Sequence, residues 1–263
     1  MPTPLFRINA FSQDPFGGNP AAICFLDREA HPDWMQAVAA ELDLAETAFL
    51  LRKGDDFGLR WFTPTVEVPL CGHATLASAH AIWEAGRSDP EATLRFQTKS
   101  GLLEARRQGD LIWLDFPALP PSPAAAPPGL IEALGVRPSY VGRGSEMFFL
   151  VEVESADAVR ALRPDFATLA QVGSGVIVTA RADDARSDFV SRFFAPSHGI
   201  DEDPVTGAAH CTLGPYWAHK LQRQTVTGYQ ASARGGIVQV RPRGPRVELG
   251  GHAVTVLRGE LLA

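Results

Sequence analysis

Two stretches of the chain read alike: Arg60–Trp83, RWFTPTVEVPLCGHATLASAHAIW, and Ser191–Trp217, SRFFAPSHGIDEDPVTGAAHCTLGPYW. Each runs as a strand, a Phe-x-Pro, an irregular loop, a glycine and then a helix of small residues that closes on Trp. Pro64 and Pro196 stand 132 residues apart and Trp83 and Trp217 stand 134 apart, so the copies keep register except for a two-residue loop insertion. An ordered series of this kind is the signature of an internal repeat, and it predicts two similar lobes. Both helices consist of Ala, Leu, Thr and other small or apolar residues with hardly any charge. A helix apolar around most of its circumference belongs in an interior, here inside a curved sheet. Its first N–H groups lack intrahelical partners and its dipole is positive there, so two such starts facing a cleft would suit an anionic substrate. The glycines equally suit tight strand-to-helix turns, and both readings stand at this point.

Around the repeats, short β-like runs dominate. Leu5–Ala10, Ala21–Leu26, Thr47–Leu51, Leu59–Phe62 and Leu111–Phe116 fit strands in the first half, and Phe148–Val153, Gly175–Thr179, Val190–Phe194 and Ile237–Val240 in the second. Helices are expected at Pro32–Leu42, Ala74–Ala85, Gly129–Leu134, Pro164–Gln171 and from about Gly207. Strands and helices do not alternate regularly, which argues against a doubly wound parallel sheet and for an α+β fold. PALPPSPAAAPP at Pro117–Pro128 removes donors and fixes φ, which favours an extended connector. The expected division is a lobe over 1–117, a Pro-rich linker over 118–129 and a second lobe over 130–249. The tail beyond Pro245 alternates in the manner of one or two strands, and its end, about 250–263, could return to the first lobe.

The chain has 263 residues, 45% hydrophobic and 21% charged, enough to bury a sizeable core without staples. With 24 basic against 30 acidic residues and a net charge of −6, no broad nucleic-acid surface is expected. Cys24, Cys71 and Cys211 are odd in number and lack C-x-x-C spacing, so a reducing compartment is the simpler reading. MPTPLFRINA shows no basic stretch followed by an apolar run, and no span approaches the ~20 apolar residues of a membrane helix. A cytoplasmic protein without membrane partners is expected.

Glu46, in Leu44-Ala-Glu-Thr-Ala-Phe49, sits where a strand starts toward the core. Desolvation there would raise its pKa and fit it for acid–base work, whereas a surface glutamate would cap or face solvent. His73 follows Gly72 at the first buried helix's start, where an imidazole can donate to a carboxylate or carbonyl and the helix end would keep it neutral. Asp203, in Asp201-Glu-Asp-Pro-Val-Thr-Gly207, lies on the matching loop, placed to orient an amine or hydroxyl, to share a proton with Glu46, or simply to form an acidic turn. Cys71 raises the thought of a two-thiol racemase, but no cysteine occurs at the matching loop around Pro204–Thr206, and Cys211 falls inside the second helix as a small apolar group. His73 and His80 are seven apart, His210 and His219 nine, and H-E-x-x-H, G-x-S-x-G and the phosphate-loop pattern are absent. Phe16-Gly-Gly-Asn-Pro20 precedes a strand and is taken as a turn. No metal and no cofactor are expected.

Asp14-Pro-Phe-Gly-Gly-Asn-Pro-Ala-Ala22, Ala45-Glu-Thr-Ala-Phe49, Phe62-Thr-Pro64, Pro69-Leu-Cys-Gly-His-Ala-Thr75 and Asp201-Glu-Asp-Pro-Val-Thr-Gly207, in this order across nearly the whole chain, resemble the PhzF-like family of phenazine biosynthesis, related in fold to diaminopimelate epimerase. The resemblance implies two lobes, each a curved, mostly antiparallel sheet around a central helix, with the active site in the cleft between them and a homodimer as the common assembly. The phenazine enzyme isomerises trans-2,3-dihydro-3-hydroxyanthranilate without metal or organic cofactor. Carried over, Glu46 is the proton shuttle, His73 and Asp203 its polar companions, and the backbone at Gly72–His73 and Gly207–Ala208 helps bind substrate. One departure stands out. Many relatives have Gly-Ser-Ala where this chain has Gly207-Ala208-Ala209, so a hydroxyl able to contact substrate is missing, which bears on specificity.

The expected function is a cofactor-independent isomerase acting on a small carboxylate-bearing metabolite, with Glu46 as acid and base and His73 and Asp203 positioning and polarising the substrate. The alternatives are an amino-acid epimerase or racemase on the same architecture, and a protein that kept the carboxylate-binding cleft without turnover.

Overall fold

In a computed structural model that describes residues 2–145 and 148–262, the chain forms two compact units, Met1–Asp115 with Gly250–Ala263, and Phe116–Leu249. The first contains β1 (Thr3–Ala10), β2 (Asn19–Leu26), α1 (Pro32–Leu42), β3 (Glu46–Lys53), β4 (Asp56–Phe62), β5 (Glu67–Val68), α2 (Gly72–Glu84), β6 (Leu94–Thr98), β7 (Gly101–Gln108) and β8 (Leu111–Pro117). The second contains β9 (Ser122–Pro123), α3 (Leu130–Leu134), β10 (Tyr140–Ser145), β11 (Phe148–Glu152), α4 (Ala156–Ala161), α5 (Phe166–Ala170), β12 (Gly175–Arg181), β13 (Phe189–Phe194), α6 (Gly207–Leu221), β14 (Val226–Gln230), β15 (Gly236–Arg243) and β16 (Arg246–Gly251). The final strand, β17 (Ala253–Leu261), pairs antiparallel with β1 and so completes the first unit.

The fold is α+β, and the two units share one connectivity. In the first, β1 and β2 are antiparallel, α1 carries the chain to β3 parallel to β2, β4 returns antiparallel, α2 crosses to β6 parallel to β4, and β7 turns back. In the second, β10 and β11 are antiparallel, α4 and α5 lead to β12 parallel to β11, β13 returns antiparallel, α6 crosses to β14 parallel to β13, and β15 turns back. A helical crossover is what a parallel neighbour requires, so the parallel pairs fall where a helix intervenes.

Ten of the thirteen residues of α2 are buried, and the helix packs against β1, β2, β3 and β17. Its small side chains permit that close approach, while its polar ones are satisfied locally: Thr75 Oγ1 donates to Cys71 O at 2.5 Å and Ser78 Oγ to Ala74 O at 2.7 Å. In α6, Trp217 stacks on Phe189 and its Nε1 donates to Thr179 Oγ1 at 3.0 Å. A second cluster, with Leu130, Val151, Val159, Leu169, Val178 and Phe194, lies beneath α3, α4 and α5. Phe194→Ala, at a site with no exposure, is of the kind that costs about 3–5 kcal/mol.

Sequence and structure differ in detail. The runs at β6, β7, β10 and β14 escaped the periodicity reading, and so did the short helix α4. β7 alternates Leu and Ala with Glu, Arg and Gln, so its apolar content is too thin to stand out. The proline-rich stretch is extended but not loose. Ala118 N donates to Pro245 O at 3.0 Å, Leu119 N to Cys211 O at 2.9 Å and Ala124 N to Val141 O at 3.1 Å, all within the second unit.

Candidate active site

Glu46 is the first residue of β3. The chain leaves α1 at Asp43, held in the left-handed region at φ 47°, and re-enters the sheet with Glu46 opposite Ala21 of β2. The glutamate side chain is only 15% exposed. His73 is the second residue of α2, and its side chain is 7% exposed. The two meet: His73 Nε2 lies 3.0 Å from Glu46 Oε2. The approach is an ion-pair contact off the line of the ring N–H, so Nε2 makes no hydrogen bond of good geometry and keeps a donor for another group.

The other ring nitrogen, Nδ1, faces Cys71 Sγ at 3.4 Å and Asn19 Nδ2 at 3.3 Å. Burial pulls the pKa of His73 down, but the neighbouring Cys71 and Glu46 outweigh it and hold the ring well above the ordinary histidine value. Burial, and after it the nearby Glu46 carboxylate, push the Cys71 thiol up. The expectation of a histidine kept neutral by the helix end is therefore corrected: a carboxylate at 3.0 Å outweighs the partial charge of a helix terminus. Cys211 is buried inside α6, its thiol near Gly207 O and its pKa pushed up to about 12 by burial, as befits an inert group.

Asp203 belongs to the second unit. Thr206 Oγ1 donates to Asp203 Oδ2, Gln230 Nε2 donates to Asp203 O at 2.8 Å, and Gln230 Oε1 accepts from Thr206 N at 2.9 Å. The fully buried Gln230 amide thus clamps the loop that leads into α6. Neither Cys71 nor Thr206, the residues that precede α2 and α6, caps its helix with a side chain, so the first N–H groups at Gly72 and at Gly207–Ala208 have no such partner. Ala208 is exposed, while Gly207 is buried. Sequence reasoning missed Asn19 and Gln230. Asn19 sits in a run that reads as turn chemistry, and Gln230 in a strand too short to show its pattern.

Glu46, Cys71 and His73 bring three potential ligand atoms within 4.8 Å of one another. An ion accepts only one ring nitrogen, yet the carboxylate faces Nε2 and the thiol Nδ1, so the ring as oriented suits proton chemistry better than a chelate.

Comparison with known proteins decides the family. Residues 8–259 match the PhzC-PhzF family, phenazine biosynthesis-like protein. The chain belongs to this family. Among its PhzC-PhzF relatives, an uncharacterized isomerase of Halalkalibacterium halodurans is 48% identical over 100% of this chain and 99% of its own length. A second uncharacterized isomerase, of Pseudomonas aeruginosa, is 50% identical over 97% of each. The crystal structure of a PhzF-family phenazine biosynthesis protein from Enterococcus faecalis superposes with a TM-score of 0.95 at 38% identity, covering 100% of both chains. A hydroxyproline epimerase from Agrobacterium vitis, at 12% identity over 99% of this chain and 92% of its own, shares the fold with a TM-score of 0.62. This PhzC-PhzF protein is thus an isomerase-type enzyme with a diaminopimelate epimerase-like fold. Among its described residues no helix is long and apolar enough to cross a membrane.

Proposed function

We propose that the protein is a cofactor-independent isomerase that moves a proton within a small carboxylate-bearing metabolite, with Glu46 as both acid and base. The observation that supports this reading is that the acid–base pair is one-sided. Glu46 and His73 meet at 3.0 Å in the first unit, whereas the repeat puts Gly175 and Ala208 at the matching places in the second. Inversion at one carbon is most simply served by matched bases on its two faces. A proton shift needs a single base: Glu46 takes a C–H proton, the electron pair moves into the adjoining unsaturated system, and Glu46 returns the proton to another carbon.

His73 donates from Nε2 to the substrate oxygen on which negative charge develops. Asp203, whose carboxylate accepts from Thr206, holds an amine or hydroxyl of the substrate. The N–H groups at Gly72, which opens α2 without a side-chain cap, suit a carboxylate of the substrate. Homodimerisation, implied by the family resemblance, is part of the proposal and is read by light scattering. The test of function is a screen of small carboxylate metabolites in heavy water. Rearrangement of one compound supports the reading. Inversion of an amino acid with deuterium at the α-carbon would replace it with a racemase, and a ligand that binds unchanged would replace it with a binding protein.

A further inference from the structure

Asp14-Pro-Phe-Gly-Gly-Asn-Pro20 is a built turn whose last polar side chain the proposed chemistry does not use. Asp14 Oδ1 accepts from Phe16 N at 2.9 Å, Gly17 N donates to Asp14 O at 3.1 Å, and Asn9 Nδ2 donates to Pro15 O at 2.8 Å. Gly18 has φ +69°, and a Cβ there would stand 2.3 Å from Ala10 O, so this position admits only glycine. The turn delivers Asn19, which has no exposure, to the first position of β2 with its Nδ2 3.3 Å from His73 Nδ1. The titratable groups that face the ring are Glu46 from β3, at Nε2, and Cys71 from the turn before α2, at Nδ1.

We infer that Asn19 is a positioning residue for His73: its amide donates to Nδ1, keeps the proton of the neutral ring on Nε2, and opposes protonation of the ring. Which nitrogen of a histidine carries the proton is set by the hydrogen bond made at the other, and a donor at Nδ1 requires a lone pair there. Glu46 pulls the other way, toward the imidazolium. A ring held between these two pulls can donate a proton and recover it, whereas a carboxylate on both sides would lock it charged. The catalytic meaning of this arrangement rests on the proposed role of His73; the test below reads the ring itself and is independent of turnover.

The experiment is a pH titration of ring nitrogen-15 signals in the full-length protein, with His73 assigned by the signal lost in His73→Gln. The wild type is expected to show, on the neutral limb, a bare Nδ1 and a protonated Nε2. Asn19→Asp, nearly isosteric, places an acceptor at the same spot. The neutral limb should then switch to protonated Nδ1, and the titration midpoint should rise by about one pH unit or more, the effect of a carboxylate beside a histidine. A wild-type ring protonated at Nδ1 would overturn the inference, and so would an Asn19→Asp ring with unchanged tautomer and midpoint. Should Asn19→Asp fail to fold, Asn19→Leu takes its place: loss of the donor is expected to raise the midpoint, and an unmoved midpoint counts against the inference. Loss of activity in a Glu46 variant leaves these signals to be judged on their own, so the two proposals fail separately.

Discussion

Glu46 and Gly175 hold equivalent places in the two units. Glu46 opposes Ala21 across a parallel pair, with the next residue, Thr47, opposite Phe62; Gly175 opposes Phe148 across a parallel pair, with Val176 opposite Phe194. Phe62 and Phe194 open the two Phe-x-Pro motifs, which fixes the correspondence. A Cβ on Gly175 would stand 2.7 Å from Phe193 Cζ and 2.9 Å from Phe148 Cδ1. The second unit therefore has no room for a carboxylate where the first has one. Gly175→Ala should cost about 1–3 kcal/mol by overpacking, and Gly175→Glu should abolish folding of that unit. Calorimetry checks both, and a Gly175→Glu protein with wild-type stability would contradict the packing.

A second duplicated feature is ionic. Arg60 grips Glu67 through Nε and Nη2 at 2.8 and 2.9 Å, and Arg192 grips Glu202 in the same way at 2.7 and 2.8 Å. Arg60 also lies over Phe62 and Arg192 over Phe194. Arg192 is the more buried arginine and donates as well to Leu162 O at 2.9 Å. Glu202→Gln should destabilise the protein by about 3–5 kcal/mol, because the guanidinium stays buried without its anion. A melting temperature equal to wild type would refute this.

Two buried histidines should tilt the stability profile in opposite senses. His73 is raised above its ordinary 6.5, chiefly by Cys71 and Glu46 against the opposing effect of burial, so its contribution is full below pH 6.5 and is lost as pH rises through the folded value. Burial pushes His210 down to about 4, with Nδ1 held 2.8 Å from Thr206 O. Between pH 6.5 and 4 the unfolded chain binds this proton and the folded chain does not, so stability falls with pH by an amount on the order of 3 kcal/mol. Melting temperature against pH should lose its acid slope in His210→Gln and its alkaline slope in His73→Gln. Slopes unchanged by either substitution would contradict these environments.

Ala208 is exposed at the second position of α6 and offers no hydroxyl there. Ala208→Ser should leave the melting temperature within a degree or two. It should shift kcat/KM among carboxylate substrates by about tenfold or more, the size expected when a hydrogen bond to a bound polar group is gained. Proportional changes for every substrate would argue against contact with the substrate.

Much of this architecture was legible because the repeat is written in residues that physics constrains: two Phe-x-Pro turns, and two helix-opening glycines before runs of small residues that can only be buried. His73 could be singled out from its place at the helix start, and Glu46 only through the family resemblance. Their contact could not, because it depends on the parallel register of β2 with β3 and on the start of α2 at Gly72 rather than Ala74. Asn19 and Gln230 stayed hidden for a different reason. Each is an uncharged amide whose work lies in a partner 54 or 24 residues away, and local sequence carries no trace of that distance. The helix terminus beside His73 is visible in sequence, whereas the carboxylate that helps raise its pKa is brought there only by the sheet.

The most direct test of the central claim is turnover by Glu46→Gln on the substrate found in the heavy-water screen, in a protein shown to fold. Loss of activity by at least about a thousandfold is predicted, together with loss of deuterium exchange at the reacting carbon, since the amide fills the same space but can neither take nor return a proton. Activity within a fewfold of wild type would contradict the assignment of Glu46 as the acid and base.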